Sequence, residues 1–163
     1  MSSKAIFLDR DGTINVDYGY LYRPSDLRFI DGAIEAMRML CDEGYKIIII
    51  TNQSGIGRGY FTEAQYLEFS DELCTQLRDR GVTITETMMC PHAPEHKCSC
   101  RKPNPKMILE AMELYDITAE GSYMFGDKPS DVECGEAAGV TSRLITAERN
   151  LLYWAKQVIE RSI

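Results

Sequence analysis

Short apolar runs alternate along this chain with longer segments in which apolar residues recur every three or four positions. An apolar run of four to eight residues is typical of a buried strand, and a spacing of three or four is typical of an amphipathic helix. The runs predict five strands, at about residues 4–8, 47–50, 82–89, 122–125 and 140–145. The helical spacing predicts five helices, at residues 32–43, from Thr62, from Pro105, from Ser130 to Gly139, and at about 148–160. Alternating strands and helices are typical of an α/β fold, in which helices cover both faces of a parallel sheet.

Residue types at the ends of the predicted helices support these boundaries. Thr62-Glu63-Ala64-Gln65 has the form of a capping box, in which the first and fourth side chains each bond to the other residue's backbone N–H. Ser130-Asp131-Val132-Glu133 has the same form and predicts a second helix start at this position. Gly44 and Gly139 follow two of the predicted helices, and glycine is favoured there because the backbone often adopts a positive φ.

The composition is that of an ordinary globular chain with an acidic balance. The chain has 163 residues, of which 44% are hydrophobic and 26% charged, and its formal net charge is −7. This size predicts a single domain over residues 1–163. The negative charge argues against a nucleic-acid binder, although a few local cations suffice to hold a small phosphorylated substrate. Because there is no apolar run of the roughly 18 residues that a membrane span needs, and no signal-peptide pattern, we expect a cytoplasmic protein. A monomer is the default expectation for a small single domain.

Polar residues follow three of the predicted strands at the points where those strands end. Asp9 and Asp11 come directly after the first strand, Thr51 begins a polar segment after the second, and Asp127 follows the fourth. The carboxyl ends of parallel strands meet at one edge of the sheet, where open α/β sheets bind their ligands. Carboxylates at positions i and i+2 of an extended chain point the same way and repel each other unless a cation, a proton or a ligand compensates them. The pattern therefore predicts a charged site at this edge, with solvated turn residues as the alternative.

This set of residues suits the transfer of a phosphoryl group. Asp9 can attack phosphorus to form an aspartyl phosphate, while Asp11 protonates the leaving alkoxide and later deprotonates the attacking water. Asp9, Asp127 and the backbone carbonyl of Asp11 offer the oxygen ligands that Mg²⁺ prefers, and bound Mg²⁺ would offset the repulsion between carboxylate and phosphate. The Thr51 hydroxyl can hold a phosphoryl oxygen, and Lys102 can stabilise the transferring group by its charge. For Lys102 the alternative is a solvated surface lysine.

A second cluster of metal-binding residue types lies on the segment after the third strand. Cys90-Pro91-His92, a gap of five residues and Cys98-Ser99-Cys100 together carry three thiols and one imidazole. Four such ligands complete a tetrahedral zinc site and leave no position for substrate, so we expect a structural zinc ion bound by Cys90, His92, Cys98 and Cys100. Disulfide pairing is the alternative, and His96 is a competing nitrogen ligand. The remaining cysteines lie in predicted helices and are interpreted as small core residues: Cys41, Cys74 and Cys134.

Four motifs, in their order and positions, resemble those of the haloacid dehalogenase superfamily. They are Asp9-Arg10-Asp11-Gly12-Thr13, Thr51-Asn52-Gln53, Lys102 and Gly126-Asp127-Lys128. Within that superfamily, nearly the whole chain is similar to the histidinol-phosphatase and heptose-bisphosphatase family, including its Cys-x-His zinc loop. The resemblance implies a Rossmann-like parallel sheet with helices on both faces and no large cap domain. The intervals between the motifs are too short for a further domain of the usual size, which agrees with a capless fold.

Three further segments resemble the heptose bisphosphate phosphatases of this family: residues 15–20, 52–59 and 101–105. The resemblance implies that the substrate-binding residues are Asp17, Tyr18, Gly19, Tyr20, Thr51, Asn52, Gln53, Ser54, Arg101, Lys102 and Lys128. Arg101 can hold a second, non-reacting phosphate through paired hydrogen bonds. Asp17, Asn52 and Gln53 can bond to sugar hydroxyls. A solvated loop that contains glycine is the alternative for residues 17–20.

The combined interpretation is an Mg²⁺-dependent phosphatase, with a structural zinc ion, that removes the 7-phosphate from a heptose 1,7-bisphosphate. The resemblance implies a role in making nucleotide-activated heptose for lipopolysaccharide or other surface glycans. Three alternatives stay open here: a histidinol-phosphate phosphatase, a DNA 3′-phosphatase, and a zinc-clipped interaction module without catalysis. The acidic net charge counts against DNA as the substrate. An interaction module would tolerate the replacement of Asp9 by asparagine.

Overall fold

Five parallel strands form one sheet in the computed structural model, which describes residues 2–163. The strands are β1 (Ala5–Leu8), β2 (Lys46–Asn52), β3 (Ile84–Cys90), β4 (Tyr123–Gly126) and β5 (Thr141–Leu144). Their order across the sheet is β3-β2-β1-β4-β5, and each neighbouring pair runs parallel. All five predicted strands are confirmed, with boundaries that differ from the prediction by one or two residues.

Helices connect the strands and lie on both sides of the sheet. The α-helices of residues 2–163 are α1 (Ala33–Asp42), α2 (Ser54–Gly57), α3 (Glu63–Asp79), α4 (Lys106–Leu114), α5 (Pro129–Ala137) and α6 (Leu151–Ile159). The five predicted helices are confirmed, whereas α2 was not predicted. A single turn that contains two glycines is too short to reveal a helical period. No helix within residues 2–163 is long and apolar enough to cross a membrane.

The two predicted capping boxes have different outcomes. The first is confirmed, because the Gln65 backbone N–H donates to Thr62 Oγ1 at 3.1 Å and the Thr62 backbone N–H donates to Gln65 Oε1 at 2.9 Å. The second, at Ser130, is wrong. Helix α5 begins at Pro129, and the backbone N–H of Lys128 donates to Asp131 Oδ2 at 3.0 Å. Proline favours the first helical position because its fixed φ suits a helix and its missing N–H is not needed there.

The core consists of two apolar layers, one on each face of the sheet. Side chains of β1 alternate between them, with Ile6 and Leu8 in one layer and Ala5 and Phe7 in the other. Helices α1, α3 and α6 contribute to the first layer, and helices α4 and α5 to the second. This arrangement confirms the predicted α/β fold with helices on both faces.

The three cysteines predicted as core residues differ in burial. Cys134 on α5 is buried, as predicted. Cys41 on α1 and Cys74 on α3 are only partly buried, because each lies at the margin of its helix's apolar face rather than at its centre.

The central strand β1 is the point from which the sheet extends in both directions. The chain passes from β1 to β2 on one side, and β4 later adds to the other side. Ligands of open α/β sheets bind outside the carboxyl ends of the strands at such a switch point. The polar residues that follow β1, β2 and β4 are thus brought to one edge of the sheet, as the sequence predicts.

Candidate active site

The side chain of Lys102 joins two acids at the centre of this edge. Its Nζ donates hydrogen bonds to Asp9 Oδ1 at 2.8 Å and to the carbonyl oxygen of Ile50 at 2.7 Å, and it forms an ion pair with Asp131 Oδ1 at 2.6 Å. Lys102 is only 4% exposed, so the alternative of a solvated surface lysine is wrong. An ammonium group has three donors, and here all three have acceptors, which holds Asp9 in a single orientation.

Burial and neighbouring charges shift the pKa values of Asp9 and Lys102 in opposite directions. Burial raises the pKa of Asp9 above its ordinary value, Lys102 lowers it, and the Asp131 carboxylate raises it again. Burial also acts to lower the pKa of Lys102, but the two carboxylates outweigh it and raise that pKa. Lys102 therefore stays protonated, yet one ammonium group cannot neutralise two buried carboxylates. The excess negative charge favours the binding of a further cation.

The carboxylate of Asp11 is oriented by a buried arginine. Arg10 donates from Nε to Asp11 Oδ1 at 2.9 Å and from Nη2 to Asp11 Oδ2 at 3.1 Å. Asn15 Nδ2 donates to the same Oδ1 at 3.0 Å. The guanidinium of Arg10 lies 4.4 Å from the centre of the Phe69 ring and is shielded from solvent. Asp11 therefore approaches the site in one defined rotamer.

Asp127 has the properties expected of a cation ligand. Its Oδ1 is buried and has no hydrogen-bond partner within residues 2–163. Burial, followed by the neighbouring charge of Asp9, raises the pKa of Asp127 to about 6. A Cβ atom on Gly12 would overlap the Asp127 carboxylate, so only glycine allows this close approach. An unpaired buried carboxylate oxygen beside a second acid fits a hard divalent cation such as Mg²⁺.

The acids that lie close enough to share a cation differ in part from the predicted set. Ligand oxygens of Asp9, Asp127 and Asp131 all lie within 4.8 Å of one another. Asp131 was named only as part of the predicted capping-box segment that begins at Ser130. The Asp11 carboxylate is not in this group because Arg10 and Asn15 bind it, which leaves its backbone carbonyl as the predicted ligand.

A cavity of about 280 Å³ is bordered by the acids Asp9, Asp11 and Asp131, and most predicted substrate residues line it. Those that do are Asp17, Gly19, Tyr20, Asn52, Gln53, Ser54, Arg101, Lys102 and Lys128. Tyr18 instead lines the neighbouring groove and is 64% exposed. The backbone N–H of Gly19 donates to Asp17 Oδ1 at 2.8 Å, which folds the loop of residues 17–20 into a defined turn.

Two predicted contact residues have structural partners of their own. Thr51 is buried below the cavity, and its Oγ1 accepts a hydrogen bond from Gln53 Nε2 at 2.8 Å. Asn52 Oδ1 accepts from the backbone N–H of Lys102 at 3.0 Å, and Asn52 Nδ2 donates to the carbonyl of the same residue at 3.4 Å. Asn52 therefore fixes the backbone that carries Lys102, a role that the sequence did not predict.

The four predicted zinc ligands converge where β3 ends. The ligand atoms of Cys90, His92, Cys98 and Cys100 lie within 4.8 Å of one another. Nδ1 of His92 lies 3.5 Å from Cys90 Sγ and 3.3 Å from Cys100 Sγ. Burial acts to raise the pKa of Cys98, but hydrogen bonds from the Arg101 backbone and from Cys90 lower it to about 6, which favours the thiolate form that metals bind. Three sulfurs and one nitrogen fit a tetrahedral zinc ion.

The competing histidine lies apart from this group, and no disulfide joins its cysteines. His96 Nδ1 accepts a hydrogen bond from the Ala93 backbone N–H at 3.1 Å, and His96 is outside the metal-binding group. The six cysteines are all free. The segment between Cys90 and Lys102 also carries Arg101, whose Nη1 donates to the carbonyl of His92 at 3.4 Å.

Sequence reasoning missed three residues of the site, for different reasons. Asp131 lies four positions after Asp127 at the start of a helix, and this spacing after a strand end was the available signal. Arg10 lies between two acids, but nothing in a single sequence indicates that a charged side chain enters the core. Arg58 lines the cavity and belongs to the segment 52–59 that resembles the family, but it was not named among the predicted substrate-binding residues.

The chain is similar in sequence to known phosphatases. The family model described as HAD-hydrolase-like matches residues 99–152. A protein of Pasteurella multocida (strain Pm70), named D-glycero-beta-D-manno-heptose-1,7-bisphosphate 7-phosphatase, is 44% identical over 148 residues, which are 87% of this chain and 80% of that protein. The protein of the same name from Escherichia coli (strain K12) is 44% identical over 151 residues, which are 88% of this chain and 79% of that protein.

A solved structure is similar over nearly the whole chain. It is the D,D-heptose 1,7-bisphosphate phosphatase of B. bronchiseptica, complexed with magnesium and phosphate. Its TM-score is 0.89 at 28% identity, and the match covers 97% of this chain and 99% of that one. This similarity agrees with the Rossmann-like parallel sheet that the sequence predicts.

Proposed function

The chain belongs to the D-glycero-beta-D-manno-heptose-1,7-bisphosphate 7-phosphatase family, and from this membership we propose that it hydrolyses the 7-phosphate of D-glycero-D-manno-heptose 1,7-bisphosphate. The products are the heptose 1-phosphate and inorganic phosphate. The relatives carry the β anomer in their names, so we take the β anomer as the preferred substrate. The reaction would serve the synthesis of nucleotide-activated heptose for lipopolysaccharide or other surface glycans.

One observation carries this proposal. Asp9 lies at the base of a polar cavity with one carboxylate oxygen bound to the buried ammonium of Lys102, while cationic side chains line the same cavity. A carboxylate held in one orientation next to fixed positive charge is suited to attack an anionic phosphate ester, because the neighbouring charge reduces the repulsion between them.

In the proposed reaction Asp9 is the nucleophile. Its carboxylate oxygen bonds to phosphorus while the bond between phosphorus and the sugar oxygen breaks, and Asp11 donates a proton to that leaving oxygen. Asp11 then accepts a proton from water, which attacks phosphorus, releases inorganic phosphate and restores the Asp9 carboxylate. Arg10 keeps Asp11 aimed at the reacting oxygens. Lys102 and the Thr51 hydroxyl stabilise the charge of the transferring group.

We include a magnesium ion in this proposal. Asp9, Asp127 and the backbone carbonyl of Asp11 would hold it, and the buried, unpaired Oδ1 of Asp127 supports their fit to a hard cation. When bound, Mg²⁺ supplies positive charge that offsets the repulsion between the attacking carboxylate and the phosphate.

A structural zinc ion completes the proposed set of cofactors. Its ligands would be Cys90, His92, Cys98 and Cys100, with no position left for substrate. The ion would stabilise the segment that leads from β3 to Arg101 and Lys102. A reducing cytoplasm, where we place the enzyme, keeps these thiols available to the metal.

The loops around the cavity would recognise the sugar. Asp17 and Gln53 would bond to its hydroxyls, the tyrosines of residues 17–20 would border it, and Lys128 and Ser54 would contact phosphate oxygens. We propose a single capless domain that acts as a monomer on this small molecule and not on nucleic acid. Without a cap the specificity depends on these loops, so slow hydrolysis of other sugar phosphates is expected.

Substrate profiling tests the proposal. The protein is incubated with both anomers of heptose 1,7-bisphosphate and with histidinol phosphate, and phosphate release is followed with Mg²⁺ and with excess EDTA. We expect the fastest release from the β anomer and none with EDTA. Faster release from histidinol phosphate would establish that alternative instead, and no release from any of the three would overturn the proposed phosphatase.

A further inference from the structure

Two arginines in the cavity carry charges that the reaction centre does not use. The cationic side chains that line the cavity are Arg58, Arg101, Lys102 and Lys128. Lys102 is bound to two buried carboxylates, and Lys128 directly follows Asp127, the proposed magnesium ligand after β4. Arg58, at the end of α2, and Arg101, directly after the cysteine cluster, also line it, and we call these two the rim arginines.

The charges of the rim arginines are only weakly compensated. Arg101 Nη1 donates to the neutral carbonyl of His92, and Arg101 has no ion pair within residues 2–163. Arg58 Nη1 lies 3.9 Å from Glu95 Oε1, and the Glu95 side chain is 65% exposed. An ion pair this long and this solvated contributes little, so Arg58 remains available to an anionic ligand.

The segments that carry the rim arginines are joined by a backbone contact. Helix α2 packs on the segment that leads to Arg101, since the backbone N–H of Gly57 donates to the Pro91 carbonyl at 2.9 Å. A Cβ atom on Gly57 would lie 2.8 Å from the same oxygen, so glycine permits this approach. Arg58 Nε donates to Ser54 Oγ at 3.4 Å, which turns the arginine back along α2. Both arginines line the same cavity, and the segments that carry them pack against each other.

We propose that Arg58 is a substrate-binding residue that, with Arg101, binds the second, non-reacting phosphate of the bisphosphate. This inference rests on the proposed function and adds to it a residue that decides between bisphosphates and monophosphates. A guanidinium group offers two parallel N–H donors to phosphate oxygens, and two such groups match the charge of a phosphate dianion. The reacting phosphate binds at Asp9 and Lys102. The rim arginines therefore contact a phosphate only when the substrate carries a second one at its other end.

The test compares two substrates on the full-length protein with bound metals. Arg58→Gln is assayed on heptose 1,7-bisphosphate and on heptose 7-phosphate, which lacks the second phosphate. For the bisphosphate we expect KM to rise about 10- to 100-fold with kcat within about threefold of the original value. For heptose 7-phosphate we expect kcat/KM to change less than about twofold, which also checks that the variant is folded. Arg58→Lys keeps the charge and should raise KM for the bisphosphate less, since it loses only the paired geometry.

Two control variants sharpen this test. Glu95→Gln removes the acid that competes for Arg58, so KM for the bisphosphate should stay the same or fall. Arg80→Gln changes an exposed arginine just beyond the end of α3 and should leave the kcat and KM for both substrates unchanged. An Arg58→Gln variant whose kcat/KM falls equally for both substrates would overturn the inference, and so would one whose KM for the bisphosphate does not rise. A failure of the proposed function is distinct, because the unaltered protein would then hydrolyse neither heptose phosphate, and the inference would be overturned with it.

Discussion

The reaction centre and the rim of the cavity are built in opposite ways. At the centre, Lys102 is buried, its three donors are all used, and its acceptors lie at 2.8 Å or less. At the rim, the ion pair of Arg58 with Glu95 spans 3.9 Å between solvated side chains. The charged side chains of the centre are positioned by strand ends and a packed core, whereas those of the rim are positioned by loops.

This difference separates chemistry from recognition within one small fold. A buried, fully bonded set of charges cannot adjust to different ligands, so it suits the common step of phosphoryl transfer. Loops that carry exposed cations and tyrosines can change without disturbing the sheet, which suits the choice of substrate. Variants at the centre should therefore lower kcat, and variants at the rim should mainly raise KM.

The largest effect is expected from Asp9→Asn. The amide keeps an oxygen for the bond to Lys102 but cannot attack phosphorus, so kcat should fall by about 10⁴-fold or more. Thermal unfolding should occur within a few degrees of the unaltered protein, since a buried repulsion is removed. Asp42→Asn, at the exposed end of α1, serves as the control and should retain full activity. An Asp9→Asn protein of undiminished kcat would refute a covalent role for this acid.

Lys102→Met should lower both kcat and stability. It leaves Asp9 and Asp131 without their shared cation, and breaking a buried ion pair by removal of one partner costs about 3 kcal/mol of unfolding free energy. The matched control is Lys106→Met, which removes a solvated lysine 3.9 Å from Glu110 and should cost less than about 0.5 kcal/mol. Urea unfolding measures both variants. Equal costs would show that the buried contacts of Lys102 stabilise the protein no more than a solvated ion pair does.

Removal of the proposed zinc should affect the rim first. Cys98→Ser weakens the metal site, so zinc content should fall from about one ion per chain and KM for the bisphosphate should rise about tenfold as Arg101 loses its support. Cys74→Ser, on α3, should retain the metal. Zinc is measured by elemental analysis and KM by phosphate release. A Cys98→Ser protein with full zinc content would exclude Cys98 as a ligand.

The smallest effect is expected from Gly12→Ala. The added Cβ displaces the Asp127 carboxylate, so the Mg²⁺ concentration for half-maximal rate should rise about tenfold. Gly44→Ala is the matched control, because Gly44 also has a positive φ but a Cβ there meets nothing within 4 Å. The control separates backbone strain from displacement of the ligand. If both variants keep the original Mg²⁺ dependence, the close approach of Gly12 has no role in metal binding.

Local patterns predicted most of the fold because they depend on neighbouring residues only. The strands and five of the helices follow from the spacing of apolar positions, and the Thr62 capping box follows from residue types three positions apart. The predicted start of α5 at Ser130 was wrong because two signals overlap there, a serine at position 130 and a proline at position 129. Proline is the more favourable residue at the first helical position, so the helix begins with it.

By itself the sequence determined the alternation of strands and helices, the positions of Asp9 and Asp127 at strand ends, and the cysteine–histidine cluster. Each of these is a pattern among residues that lie close together along the chain. The tertiary structure alone decided that β1 lies at the centre of the sheet, that Asp131 shares Lys102 with Asp9, and that Arg10 enters the core to bind Asp11. These contacts join residues whose proximity follows from the order of the strands. Such proximity is set by packing across the whole molecule and leaves no periodic signal in a single chain.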